Sequence, residues 1–372
     1  MNESSNVARK VIICVIDGNP EHQADFDRAL TSFYQIAQFQ SPAGVIERLA
    51  AAPPAAIVLD EDIAPAGGLA VLKSIRAAAE LADVPIILTS PRAESEIFED
   101  AKHFGVEARL LKPFKRGVLL DTLSKQVNRG VEDAWEAIEP VQQAALKQTV
   151  STFNDISDLI DKGEPLPYDS VKASCQPLVT AVSNNDFKDL LKGVRGHDNY
   201  SYVHSLRVAT LLSMFGTTIG IKGDDLLTLA TGGLLHDVGK MSIPHTVLNK
   251  PGKLEGNEWD MMKSHVSNTV IFLENSPDMP RGVMTIASQH HEKLDGTGYP
   301  AGIKGGDLND LARMATIADI FSALTDRRVY KDPMPPEKAL AIMTDMKDGV
   351  DQHFLMLFQA MLMDAASGLD DP

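Results

Sequence analysis

The segment LLHDVGK, residues 234–240, sets His236 and Asp237 side by side at the end of an apolar run, with Lys240 three residues beyond the aspartate. Other segments with helix-like apolar spacing carry the same chemical types: His204 in YVHSLRVATLL, His265 in WDMMKSHV, His290 and His291 in IASQHHE, and Asp319 in ATIADIFSAL. One histidine on an apolar helix face is usually a core residue with a hydrogen-bond partner. Seven imidazoles and carboxylates in such settings are a different case, because each is costly to bury unless paired or coordinated. Nitrogen and oxygen donors without thiolates suit iron, manganese, zinc or nickel. Seven ligands are too many for one ion with an open position, so two ions are the economical count, with Asp237 as the bridge. Paired ions roughly 3.5–4 Å apart activate a water and stabilise attacking and leaving oxygens in in-line displacement at phosphorus.

A second set of chemistry-bearing residues lies upstream. Asp17, Asp60, Thr89 and Lys112 stand at or just past the ends of VIICVI, AAIVLD, VPIILTS and ARLLKPF. These runs are apolar on both faces and alternate with helical patterns such as GLAVLKSIRAAAEL, which predicts a parallel sheet in a doubly wound α/β domain. Such sheets place their chemistry at the carboxyl ends of the strands. Acids for a cation, one acid as acceptor, and a hydroxyl and an ammonium for phosphoryl oxygens are what a phosphorylatable carboxylate needs. The remaining histidines, His22, His103 and His353 among them, have no evident cluster in the sequence.

From Val127 to Ile160 apolar residues recur every three or four positions, with Pro140 set to open a fresh helix. Such a stripe serves equally as a dimer seam or as packing against its own domain. The rest of the chain reads as almost wholly helical. The expected architecture is therefore multidomain: α/β over 1–126, a helical linker over 127–165, and an all-α domain over 166–372.

Composition supports this and narrows the functions. A 372-residue chain with 44% apolar and 23% charged residues can bury two cores. Its formal charge of −16 disfavours a nucleic-acid binder, whose affinity rests on clustered Lys and Arg. Two cysteines in core-like settings, Cys14 and Cys175, fit neither a disulfide framework nor a thiolate metal site. No apolar run reaches membrane length, and a cytoplasmic protein is expected.

Residues 8–126 resemble the receiver domain of two-component response regulators: LLKPF matches the lysine-proline signature at Lys112, and Asp60 matches the phosphoacceptor. The resemblance implies a magnesium ion in the receiver pocket and a sensor histidine kinase as partner. It departs at the acidic pair after the first strand, which here reads Ile16-Asp17. Losing one carboxylate should weaken cation binding, and a receiver fold kept for dimerisation or relay is the alternative.

HDVGK together with HHEKLDGTGYP, residues 290–300, resembles the HD-GYP family of HD hydrolases, whose members degrade cyclic di-GMP. The resemblance covers about residues 170–358. It implies a phosphodiesterase with two ions, iron or manganese, one held by His204, His236, Asp237 and Asp319 and the other by Asp237, His265, His290 and His291. Asp237 and Lys240 would be catalytic, Lys240 meeting the scissile phosphate. Tyr299, in a loop where Gly296 and Gly298 permit tight turns, would contact substrate, as would Arg328 and Lys331, nine and twelve residues beyond Asp319. Members with a third ion use a glutamate where this chain has Tyr200, so two ions are expected. The resemblance further implies a diguanylate cyclase or adaptor as partner at the GYP loop; a homodimer is expected besides, and neither nucleic acid nor membrane is expected to be bound. The product would be pGpG, and onward hydrolysis would give GMP. The alternative from another class is a weakly or non-catalytic cyclic di-GMP sensor with a degenerate receiver.

Overall fold

A computed structural model of the protein describes residues 11–367 apart from 32, 107, 195–196, 249, 251 and 327–332. The chain forms two compact units: the first runs to Glu132 and is assigned residues 244–249 as well, and the second holds the rest from Asp133 onward.

The first unit is built on a parallel sheet of β1 (Ile12–Ile16), β2 (Gln35–Phe39), β3 (Ala56–Asp60), β4 (Ile86–Ser90) and β5 (Ala108–Leu111), in the order β2-β1-β3-β4-β5. β1, β3 and β4 are the expected apolar runs. They sit in the middle of the sheet, where both faces are covered by helices and every residue of β3 and β4 is buried. The residues of β1 alternate between the two cores: Cys14 and Ile16 face one, Ile13 and Val15 the other. The sequence reading missed β2. Its QIAQF is an edge strand with exposed glutamines, so the run apolar on both faces that betrays a central strand is absent.

The second unit is helical in its described residues, so the architecture is α/β followed by all-α, as expected. The segment expected as a linker is divided between the units. Pro140 opens the helix Pro140–Lys162 at its first position, where a missing N–H costs nothing. That helix packs on Tyr168–Ser183 and buries Leu146, Phe153 and Ile156 completely. Just upstream, the buried Trp135 donates from Nε1 to the Gly193 carbonyl at 2.7 Å. Of the two readings of the apolar stripe, the structure shows packing within its own unit.

Candidate metal centre and receiver pocket

Five stretches of the helical unit carry the seven candidate ligands. His204 lies within the helix Tyr200–Thr218, whose N-cap Asn199 accepts from the Tyr202 N–H at 3.0 Å. His236 caps the C-terminus of Gly223–Leu235, and Asp237 follows it into the 3₁₀ turn Val238–Ser242. His265 lies within Asn257–Glu274, His290 caps the C-terminus of Arg281–Gln289 with His291 next to it, and Asp319 lies within Asp310–Thr325. Two close approaches draw these elements together. A Cβ on Gly233 would lie 2.6 Å from the Ala209 Cα, and one on Gly239 would lie 2.1 Å from the His265 carbonyl oxygen. Only glycine allows His236 that near His204's helix and Asp237 that near His265.

All seven converge. His204, His236, Asp237 and Asp319 form one group and Asp237, His265, His290 and His291 another, with the ligand atoms of each group within 4.8 Å of one another. These are the two sets expected from the sequence, sharing Asp237. Its Oδ2 lies 3.4 Å from His204 Nε2 and 3.2 Å from His236 Nε2, while Oδ1 lies 3.1 Å from His265 Nε2 and 3.7 Å from His290 Nε2. Asp319 approaches His204 Nε2 at 2.9 Å and His291 Nδ1 at 3.7 Å.

The donor atoms fit a pair of cations. Nε2 of His204, His236, His265 and His290, and Oδ1 of Asp237, are buried without a hydrogen-bond partner despite these short separations. Buried polar atoms are rarely left so, and each such orphan costs stability unless something else satisfies it. The opposite nitrogen of each ring is engaged: His236 Nδ1 with the Gly233 carbonyl at 2.7 Å, His265 Nδ1 with Met262 at 2.5 Å, His290 Nδ1 with Ile286 and Ala287 at 3.1 Å, and His204 Nδ1 with Ser322 Oγ at 3.3 Å. A ring that donates from Nδ1 keeps its Nε2 lone pair for a metal.

Charge follows the same logic. Burial opposes the imidazolium of His236, but Asp237 and Asp319 more than reverse this and lift it to about 9. Burial and a neighbouring ring hold His290 and His291 neutral. Burial works against ionising Asp237 and Asp319, yet the surrounding imidazoles, with Lys240 beside Asp237, keep both well below the ordinary carboxylate range. A cation must therefore displace a proton from His236. Manganese affinity, read by calorimetry in metal-free protein, is expected to rise by up to about tenfold per pH unit from pH 6.5 towards 9. A flat profile over that window would contradict it. The same shift gives the metal-free fold stability that is complete below pH 6.5 and lost as pH climbs to about 9.

Lys240 hydrogen-bonds Asp237 from three residues away and is largely buried. The ring of Tyr299 lies 4.7 Å from that of His291. Burial, with Asp237 and Asp319 nearby, raises the Tyr299 pKa, so the hydroxyl stays a donor. Gly296 in the same loop takes a positive φ of 77°, whereas Gly298 is confined instead by the backbone of His291–Lys293. Sequence reasoning overlooked what holds this loop. Glu292, fully buried, accepts from the N–H groups of Ala301 at 2.7 Å, Gly302 at 3.1 Å and Ile303 at 3.0 Å. Tyr200, in the third-ion position, stacks on His204 with ring centroids 6.0 Å apart. Arg328 and Lys331 lie outside the described residues.

In the receiver unit, Lys112 Nζ reaches Asp17 Oδ2 at 2.7 Å and Asp60 Oδ2 at 2.5 Å, and Thr89 donates to Asp60 at 3.2 Å. The four expected residues meet at the ends of β1, β3, β4 and β5. His22 joins them, contrary to the reading that it stood alone. Its Nδ1 lies 3.1 Å from Asp17 Oδ2 and 2.9 Å from Lys112 Nζ, and Asp17, His22 and Asp60 have the spacing of a cation site. The sequence signal was its place early in the helix Pro20–Leu30 that follows Asp17. Both cysteines are buried and unpaired, with burial pushing each thiol up to about 12, so neither is a nucleophile.

Comparison with known proteins agrees with both units. A response regulator receiver domain model matches residues 13–124, and an HD domain model matches residues 190–353. The chain is 38% identical over 181 residues to a 3'3'-cGAMP-specific phosphodiesterase of Vibrio cholerae, covering 48% of this chain and 37% of the relative. It is 32% identical over 161 residues to a cyclic di-GMP phosphodiesterase of Pseudomonas aeruginosa, covering 43% and 39%. Both matches span less than half the relative's length. A probable cyclic di-GMP phosphodiesterase of Vibrio cholerae is 27% identical over 374 residues, covering 96% of this chain and 78% of the relative. The chain thus carries a response regulator receiver domain over residues 13–124 and an HD domain over residues 190–353, the latter with the HHEKLDGTGYP loop beside the cluster.

Proposed function

We propose that the chain is a response regulator whose output is a metal-dependent phosphodiesterase that opens cyclic di-GMP to pGpG and takes it on to GMP. The observation that carries this is the set of buried Nε2 and Oδ1 atoms around Asp237 that have no hydrogen-bond partner. His204, His236, Asp237 and Asp319 would hold one divalent ion and Asp237, His265, His290 and His291 the other. Iron or manganese suits these donors, and such a pair supplies Lewis-acid stabilisation and water activation. Asp237 joins the two sets and, with Lys240, forms the catalytic core. Lys240 offers its ammonium as a point charge to the scissile phosphate, where negative charge builds. Tyr299 donates its hydroxyl at the rim, and Arg328 and Lys331 contact substrate by family likeness. No helix among the described residues is long and apolar enough to cross a membrane, and a cytoplasmic site of action fits a nucleotide substrate.

The test is a metal analysis of anaerobically purified protein coupled to hydrolysis assays with cyclic di-GMP and 3'3'-cGAMP. Bound iron or manganese with turnover of cyclic di-GMP supports the reading. Turnover of 3'3'-cGAMP alone would move the substrate to that of the 38% identical relative. Binding of cyclic di-GMP without turnover would leave a sensor.

Asp60 would accept a phosphoryl group, with a sensor histidine kinase as donor; a diguanylate cyclase or adaptor at the GYP loop, and a second copy of the chain, are the further partners carried by family likeness. Because His22 brings an imidazole to a pocket with Ile16 in place of an acid, a softer ion than magnesium is favoured. Manganese is expected to support modification of Asp60 by acetyl phosphate at a concentration about tenfold lower than magnesium does. Intact mass measures this, and in His22→Ala the advantage should vanish.

A further inference from the structure

Trp259, in the first turn of the helix that carries His265, is about half exposed at 49%. Among the described residues it is the aromatic member of the large exposed apolar side chains; the others are aliphatic or methionine. A lone exposed apolar residue needs no explanation, so position carries the argument. Its ring stands 6.4 Å from that of Tyr299 at 73°, and Tyr299 in turn lies 4.7 Å from His291. Two ring-to-ring steps therefore lead from a ligand of the metal centre to an indole open to solvent. Trp259 and Tyr299 thus stand nearly perpendicular to each other beside the candidate ligand His291.

A purine nucleotide whose phosphate met Lys240 beside the buried ligands would find its nearest exposed aromatic face at Trp259. We infer that Trp259 is a substrate-binding residue that stacks a purine base of the cyclic dinucleotide. This rests on the phosphodiesterase reading and adds a contact to it. Stacking suits the site because every base has a π face and an indole presents the largest aromatic surface of any side chain. The contact forms in the ground state as well as in the transition state, so its loss should appear in KM rather than kcat.

The experiment uses manganese-loaded full chain with cyclic di-GMP. Trp259→Ala should raise KM by about tenfold to a hundredfold with kcat within about twofold, while Trp259→Phe, which keeps a stacking ring, should stay within about threefold of wild type. Trp259 is exposed, so both variants should match wild type in thermal melting. A second readout separates recognition from turnover. The chain has two tryptophans, and Trp135 is buried in packing remote in sequence from the site. On mixing with cyclic di-GMP in a stopped-flow instrument, wild type should change indole emission before turnover and Trp259→Phe should not. A KM for Trp259→Ala within about twofold of wild type, in protein that turns over, would overturn the stacking role and leave the phosphodiesterase reading intact. An emission change without turnover would support the stacking role and sink the catalytic reading. Neither turnover nor emission change would overturn both.

Discussion

Asp237→Asn protein is expected to retain little or no metal and to hydrolyse cyclic di-GMP at least about a thousandfold more slowly than wild type, a loss of ~4 kcal/mol in transition-state stabilisation. Asp237 is the residue common to both ligand groups. Its two oxygens lie between 3.1 and 3.7 Å from the Nε2 atoms of four histidines. An amide of the same shape offers one weakly basic oxygen and one donor, so the group with His265, His290 and His291 loses its one anionic ligand and the other group keeps only Asp319. The substitution also removes the charge that lifts His236 to about 9 and that Lys240 pairs with. A buried ammonium without its partner is costly, so the metal-free variant should also melt below metal-free wild type. The measurements are elemental analysis, initial rates and melting temperatures on matched preparations. A variant that keeps two ions and wild-type turnover would discard the bridging role altogether.

The second large effect is expected at Glu292. Its carboxylate gathers three backbone N–H groups of the loop after Tyr299-Pro300, from complete burial. Glu292→Ala strands those donors and leaves a void, which should cost ~3–5 kcal/mol. For a helical unit of this size that corresponds to a fall of roughly 10 °C in its melting transition. Activity should fall by at least about tenfold as well, because the released loop carries Tyr299, held at present by the N–H of Tyr299 donating to the His291 carbonyl at 3.1 Å. Glu292→Gln keeps acceptor capacity but sets a donor amide among donors, and should fall between Ala and wild type. Melting of Glu292→Ala within about 2 °C of wild type would show that the loop is held by other contacts.

Much of the centre was legible in the sequence. Seven chemically matched side chains in helix-spaced segments, six of them buried, have few physical solutions, and the two ligand groups they form are those read from the sequence. The central strands were equally legible, because residues buried on both faces of a sheet must be apolar at every position. What escaped lacked a local signature. The edge strand β2 sets its two glutamines three residues apart with Ile36 and Ala37 between them, a spacing that does not distinguish QIAQF from a loop or a short helix. His22 looked solitary because its partners, Asp17 and Lys112, stand five and ninety residues away and meet it only where strand ends and a helix start coincide. Glu292 looked like one more acid in a motif until its three backbone donors came into place.

The sequence by itself determined which atoms could coordinate, because donor chemistry and the cost of burying it are properties of residue type. Tertiary structure alone decided which nitrogen of each ring faces inward, since that follows from where the Gly233, Met262, Ile286 and Ala287 carbonyls lie. It also decided that the stripe from Pro140 to Lys162 is covered within its own unit. Periodicity shows that a face will be buried; what buries it depends on contacts between residues far apart in the chain.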